Sequence, residues 1–102
     1  MSRRERIEQM LRDDPGDPFL RYALAQEFVS EGNPEEALKA FDALLADEPE
    51  HVPSYFQKAK VLNEEGETDD AVATLRAGIA VARRVGDDHA AGEMGEFLEL
   101  IA

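Results

Sequence analysis

The same pattern occurs twice in this chain, 34 residues apart. Residues 25–45 read AQEFVSEGNPEEALKAFDALL and residues 59–79 read AKVLNEEGETDDAVATLRAGI. At this offset small residues fall on small ones, large apolar residues fall on large apolar ones, and Gly32 falls on Gly66. The matched apolar pairs are Ala25 with Ala59, Phe28 with Leu62, Ala37 with Ala71, Phe41 with Leu75, and Leu45 with Ile79. A period of this length is typical of helix–turn–helix repeats, which bury their apolar faces against their neighbours.

The register also extends toward the start of the chain. Ile7, Leu11 and Pro15 fall on Phe41, Leu45 and Pro49 at the same offset. The segment before the first full repeat therefore has the pattern of a second helix without its first. We predict one domain over residues 1–102, divided into a half repeat at 2–15, repeats at 17–50 and 51–86, and a capping helix at 87–102.

Capping and breaking residues divide the chain into six predicted helices and no strands, which is an all-α protein. Ser2 with Glu5 has the spacing of a capping box, and Asp17 and Asn33 each precede a Pro suited to the first helical turn. Pro15 and Gly16 end the first predicted helix, because Pro cannot continue a helix and Gly tolerates left-handed backbone. Gly32, Gly66 and Gly86 end the second, fourth and fifth predicted helices. The predicted helices span about residues 2–13, 17–31, 33–48, 52–65, 68–85 and 88–101.

Composition limits the possible partners and chemistry. Eleven Lys and Arg stand against 23 Asp and Glu, giving a net charge of −12, and there is no Cys. Such a surface repels phosphate, so we expect no nucleic acid and no membrane among the partners. The start of the chain lacks the apolar run of a signal peptide, so we expect a cytoplasmic protein. The low Lys content fits either adaptation to high salt or ordinary acidity, and both interpretations stay open.

These features resemble the tetratricopeptide repeat, and the resemblance covers about residues 17–85. That family places small residues where its two helices cross, large apolar ones behind them, a Gly at the turn and a Pro near the end. The matching residues are Leu24, Ala25, Phe28, Gly32, Ala37, Phe41 and Pro49 in the first repeat, and Tyr55, Ala59, Leu62, Gly66, Ala71 and Leu75 in the second. We expect a small bacterial-type member with about six antiparallel helices stacked as a short superhelix.

Four positions depart from the family pattern. Arg21 stands where the family often has Trp, Lys58 where it has Leu, and Gly78 where it has Ala. Arg83 replaces the closing Pro, so we expect the fifth helix to extend beyond the length of its predecessors.

The resemblance implies an adaptor that binds a peptide or a partner helix in a concave groove lined by the first helix of each repeat. It assigns the groove contacts to Phe19, Tyr22, Gln26 and Val29, and to Phe56, Gln57, Lys60 and Asn63. Aromatic rings there are suited to anchor a partner, while the amides and Lys60 are suited to bond a backbone or a carboxylate. The rings could equally pack against the next helix. A clamp for a carboxylate tail is not supported, because only Lys60 of these positions is basic.

Enzymatic chemistry has little support. No phosphate-binding loop occurs, and none of the three serines stands in a setting with a base. His89 and Glu93, four residues apart, are too few ligands for a metal, so we expect no cofactor, no metal and no enzyme. The alternative to an adaptor is a self-associating structural unit, such as a homodimer, in which a second copy covers the Ile7, Met10 and Leu11 face of the incomplete first repeat.

Overall fold

The protein consists of six α-helices joined by short turns in a computed structural model, which describes all 102 residues. They are α1 Arg3–Asp13, α2 Pro18–Ser30, α3 Pro34–Asp47, α4 Val52–Glu64, α5 Thr68–Arg84 and α6 Asp88–Ile101. The all-α prediction and the number of helices are confirmed, and each end lies within about two residues of its predicted place. None of the helices is both long enough and apolar enough to cross a membrane.

Side-chain caps begin the helices at the predicted residues. Ser2 and Glu5 form the reciprocal capping box, with the Glu5 amide 3.1 Å from Ser2 Oγ and the Ser2 amide 3.1 Å from Glu5 Oε1. Asp17 Oδ1 accepts a hydrogen bond from the Phe19 amide at 2.8 Å. Asn33 caps α3 in the same way. These bonds satisfy amides that have no partner within the helix, so the polar residues fix where α1, α2 and α3 start.

Three helices end in the same left-handed turn. Gly32, Gly66 and Gly86 have φ angles of 73°, 79° and 83°. In each case the next residue's amide reaches back to a carbonyl five residues earlier, at 2.7–2.9 Å. This is the geometry in which Gly lacks the steric penalty of other residues. At Gly16, where the sequence allowed left-handed backbone, φ is not positive.

Helices α1, α2 and α3 form the first of two compact units, Met1–Glu48. Its core contains the fully buried Ala25, Ala37, Phe41 and Leu44. The small side chains allow the helices to approach closely, and the larger ones fill the space behind them. Ile7 on α1 is also buried.

The uncovered face predicted for α1 is therefore smaller than the sequence implied. Ile7 is only 8% exposed and Leu11 is partly buried, so Met10 is the exposed member of the three. Ion pairs also join α1 to α2, at 2.9 Å between Arg3 and Glu27 and at 2.9 Å between Arg4 and Glu31.

Helices α4, α5 and α6 form the second unit, Pro49–Ala102. Its buried cluster includes Ala59, Leu75, Ala82 and Met94, all at 0% exposure, with Phe56 and Phe97 packed against it. Helix α6 packs against both α5 and α4. The unit therefore presents a seam between α4 and α6 as well as the seams between consecutive helices.

The departures at positions 78 and 83 have clear structural consequences. A Cβ added at Gly78 would lie 2.6 Å from Tyr55 Cβ and 2.8 Å from Met94 Sδ, so even Ala does not fit there without movement. Helix α5, which has Arg83 in place of Pro, is 17 residues long, against 14 for α3. The predicted lengthening of the fifth helix is confirmed.

Candidate functional site

The four predicted groove residues of the first unit lie on one face of α2. Phe19, Tyr22, Gln26 and Val29 are spaced by three and four residues, which is the spacing of a single helical stripe. Phe19 is 75% exposed, whereas Tyr22 is partly buried and its ring packs 6.2 Å from that of Phe41. Tyr22 thus has the packing role that the sequence left as an alternative, while Phe19 faces solvent.

The four predicted residues of the second unit lie along α4 and are all partly buried. The Phe56 ring packs 5.8 Å from the Phe97 ring of α6. Lys60 places its Nζ 4.1 Å from the centroid of the Phe56 ring, within the range of a cation–π contact. Phe56, one of the predicted groove residues, is therefore a structural contact of α6.

A cleft of about 290 Å³ lies between the start of α4 and the first half of α6. Val52 and Met94, both buried, contribute to its lining, and Phe56 and Gln57 contribute from α4. The complete lining is Val52, Pro53, Phe56, Gln57, Asp87, His89, Ala90, Glu93 and Met94. Of the predicted groove residues, the structure brings Phe56 and Gln57 into this cleft, and Lys60 and Asn63 do not line it.

The polar groups lining the cleft are mainly acidic or neutral. Glu93 Oε1 lies 3.3 Å from His89 Nε2, and Asp87 accepts a hydrogen bond from the Ala90 amide at 3.1 Å as the cap of α6. No Lys or Arg lines the cleft. The His89–Glu93 pair is not part of any group of three or more residues that could hold a metal ion.

Comparison with known proteins identifies the family. The sequence profile described as "Tetratricopeptide repeat" matches residues 28–92. The chain belongs to the tetratricopeptide-repeat family. A tetratricopeptide repeat domain protein from Salinibacter ruber, solved by NMR, shares 38% identity over 86% of this chain and 89% of that one, with a TM-score of 0.83. No curated protein matches the chain.

Two further solved structures have the same tetratricopeptide-repeat architecture. A protein from Bordetella parapertussis is 25% identical over 99% of this chain and 88% of that one, with a TM-score of 0.87. PcrH, crystallised with the chaperone binding region of PopD, is 19% identical over 96% of this chain and 74% of that one, with a TM-score of 0.86. The likeness to PcrH shows the fold alone.

The contribution of α6 to the cleft was not predicted from the sequence, because the pattern indicated only a capping role for this helix. A shift of 36 residues instead of 34 places Ala59 on Gly95 and Leu62 on Leu98, the same two positions that mark the earlier tetratricopeptide repeats. The extra two residues reflect the longer α5. Allowing the period to vary would have identified α6 as the first helix of a further repeat.

The structure also brings together a Ser and a His, contrary to the expectation that no Ser has a nearby base. Ser54 Oγ lies 2.8 Å from His51 Nδ1, at the start of α4. Ser54 is completely buried, however, so its hydroxyl has no access to a substrate from solvent. The contact satisfies a buried hydroxyl and supports the first turn of α4.

Proposed function

We propose that this tetratricopeptide-repeat protein is an interaction module that holds a segment of another protein in the cleft between α4 and α6. The observation that carries the proposal is a cleft with buried apolar side chains in its lining, located where the sequence pattern had placed two groove residues, Phe56 and Gln57. Membership of the family supports a role in protein binding.

The cleft is at the small end of the range of ligand-binding pockets. Its volume of about 290 Å³ falls just below the roughly 300–1,000 Å³ of pockets that enclose small molecules. One or two side chains of a partner suit this space. Burying a Leu or Met side chain contributes about 1.5–3 kcal/mol, which is enough to anchor a segment whose other contacts are weaker.

Polar groups beside the apolar surface can orient the partner. The Gln57 amide is both a donor and an acceptor, so it can pair with a peptide backbone in an extended or a helical segment. In the first unit, the exposed Phe19 and Val29 offer a further apolar surface on α2. We propose these two residues, with Tyr22 and Gln26, as partner contacts of the first unit. In the second unit, Lys60 and Asn63 extend the proposed surface along α4.

Two other observations support a protein partner. PcrH, which has the same fold, was crystallised with the chaperone binding region of PopD, so this fold is compatible with a bound segment. The net charge of −12 disfavours the phosphate-bearing alternatives, nucleic acid and anionic lipid. A non-enzymatic role in the cytoplasm is part of the proposal.

Selection from a displayed random peptide library tests this function. The blocking variant is Ala90→Gln, because Ala90 lines the cleft, is only partly buried, and Gln is a good helix former. The matched control is Ala73→Gln, the same change at an exposed position of α5. We expect peptides that bind the wild type and the control but bind the blocking variant at least tenfold more weakly. Peptides that bind all three proteins equally, or no selected peptide at all, would contradict the proposal.

Self-association is a second candidate function, favoured by two large apolar side chains in solvent. Phe19 is 75% exposed and Leu100 is 81% exposed. Burial of such side chains is a common driving force for dimers. Light scattering at high protein concentration and high salt, where charge repulsion is screened, distinguishes the candidates. A dimeric mass that reverts to a monomer in the Leu100→Glu variant would support this second function, and a monomeric wild type would remove it.

A further inference from the structure

The cleft between α4 and α6 also indicates the charge of its occupant. We infer that the bound segment is basic, with an apolar side chain in the cleft and Lys or Arg beside it. This inference rests on the proposed function, because it specifies the partner of the same site.

Two acidic side chains lie at the rim of the cleft. Asp87 and Glu93 line it, and the carboxylate of each keeps acceptor positions beyond the single contact with Ala90 or His89 described above. The Glu93 side chain is 54% exposed, so an incoming cation can reach it. Because the cleft has an apolar surface and carboxylates at its edge, it suits an apolar side chain followed by a Lys or Arg.

The surrounding charges act in the same direction. Helix α6 carries Asp88, Glu93, Glu96 and Glu99, and it contains no Lys or Arg. Neither lysine of α4, Lys58 or Lys60, lines the cleft, and Lys60 is held against the Phe56 ring. An acidic surface of this kind attracts positively charged partners and raises their association rate.

A second groove in the same unit provides an internal contrast. It lies between α5 and α6, and two arginines, Arg76 and Arg83, line it together with one acid, Glu99. A basic segment is repelled there and attracted by the cleft between α4 and α6. The charges therefore favour the cleft between α4 and α6 over the groove between α5 and α6 for a basic segment.

The test compares the composition and salt dependence of the selected peptides. The relevant peptides are those that bind the wild type and bind the Ala90→Gln variant more weakly. We expect them to be enriched in Lys and Arg next to an apolar residue. Glu93→Gln should weaken their binding about two- to fivefold, the range of a solvent-exposed ion pair. Glu96→Gln, which removes the same charge from an exposed position of α6 outside the cleft lining, is the control and should have a smaller effect. Raising the salt concentration should reduce the difference between the wild type and Glu93→Gln.

The outcomes separate the two proposals. If Ala90-dependent peptides are neutral or acidic, or if Glu93→Gln and Glu96→Gln weaken binding equally, the basic-segment inference is wrong while the interaction module stands. If no peptide depends on Ala90, both proposals fail.

Discussion

The two predicted repeats, residues 17–50 and 51–86, contain the helix pairs α2–α3 and α4–α5, which are built from different residues. At equivalent positions the first has Arg21 and the fully buried Leu44, whereas the second has Tyr55 and Gly78. In the first repeat the larger apolar side chain is Leu44, on the second helix. In the second repeat it is Tyr55, on the first helix, and Gly78 opposite it has no side chain. Both repeats fill the space between their two helices, but the side chain that fills it comes from a different helix in each.

The polar contacts at the same positions differ as well. Arg21 forms an ion pair with Asp47 at 2.8 Å, which joins the start of α2 to the end of α3. The Tyr55 hydroxyl donates a hydrogen bond to the Pro49 carbonyl at 2.6 Å. A long side chain is thus retained at this position in both repeats, with a charge in one and a ring in the other.

Truncating the buried side chain of the first repeat should have the largest effect. Leu44→Ala leaves a cavity in a site that is 0% exposed, and we expect a loss of about 2–5 kcal/mol in the free energy of unfolding. Urea denaturation measures it. Ala46, which is exposed on the same helix, provides the control as Ala46→Gly, with an expected loss of about 1 kcal/mol from helix propensity alone. A loss no greater than that of the control would contradict the packing assigned to Leu44.

Adding a single methyl group to the second repeat should also destabilise it. Gly78→Ala improves helix propensity, but the new Cβ overlaps Tyr55 Cβ, and we expect a net loss of about 1–3 kcal/mol. Gly92→Ala on α6 meets no atom within 4 Å, so there we expect a gain of about 0.5–1 kcal/mol. Opposite signs in thermal denaturation would confirm that the space between the helices, and not propensity, selects Gly78. A gain at both sites would refute it.

The polar contacts at position 21 and position 55 should differ in their response to salt. Tyr55→Phe removes one hydrogen bond, with an expected cost of about 0.5–1.5 kcal/mol at any ionic strength. Arg21→Met retains much of the side-chain length and loses the ion pair, with an expected cost of up to about 1 kcal/mol that declines in high salt. Denaturation curves at low and high salt distinguish the two. Equal salt dependence would mean that Arg21 acts through packing.

The smallest expected effect is outside both repeats, at the capping box of α1. Hydrogen bonds from the Ser2 backbone amide and from the Ser2 side chain lower the pKa of Glu5 below its ordinary value. Because the folded pKa is lower than the unfolded one, this contribution to stability is present above the ordinary pKa of Glu and is lost as the pH falls through the folded pKa. An NMR titration of the Glu5 carboxyl should show the lowered pKa, and Ser2→Ala should raise it. An unchanged pKa in that variant would exclude the Ser2 side chain as a cause of the shift.

Much of the fold could be predicted from the sequence, because its determinants are local. Asp17-Pro18, Asn33-Pro34 and the glycines at 32 and 66 mark helix ends through their own backbone preferences. The 34-residue offset then predicts which faces are buried. The Gly at position 78 could not be predicted in this way, because it is required by the close approach of Tyr55 and Met94 on two other helices.

The candidate site was predicted only in part. The family pattern predicted Phe56 and Gln57 on α4, but the other wall comes from α6, whose repeat pattern is displaced by the longer α5. Whether a ring such as that of Tyr22 or Phe56 is free depends on its neighbours in space, here Phe41 and Phe97. That information is not present in the spacing of residues along one helix.

The most direct test of the binding cleft is an NMR titration of the labelled protein with a library-selected peptide. The account predicts that the largest amide shift changes cluster at Gln57, Ala90 and Glu93, and that they disappear in the Ala90→Gln variant. Changes centred on Arg76 and Arg83 of α5, with none at Gln57 or Ala90, would contradict it.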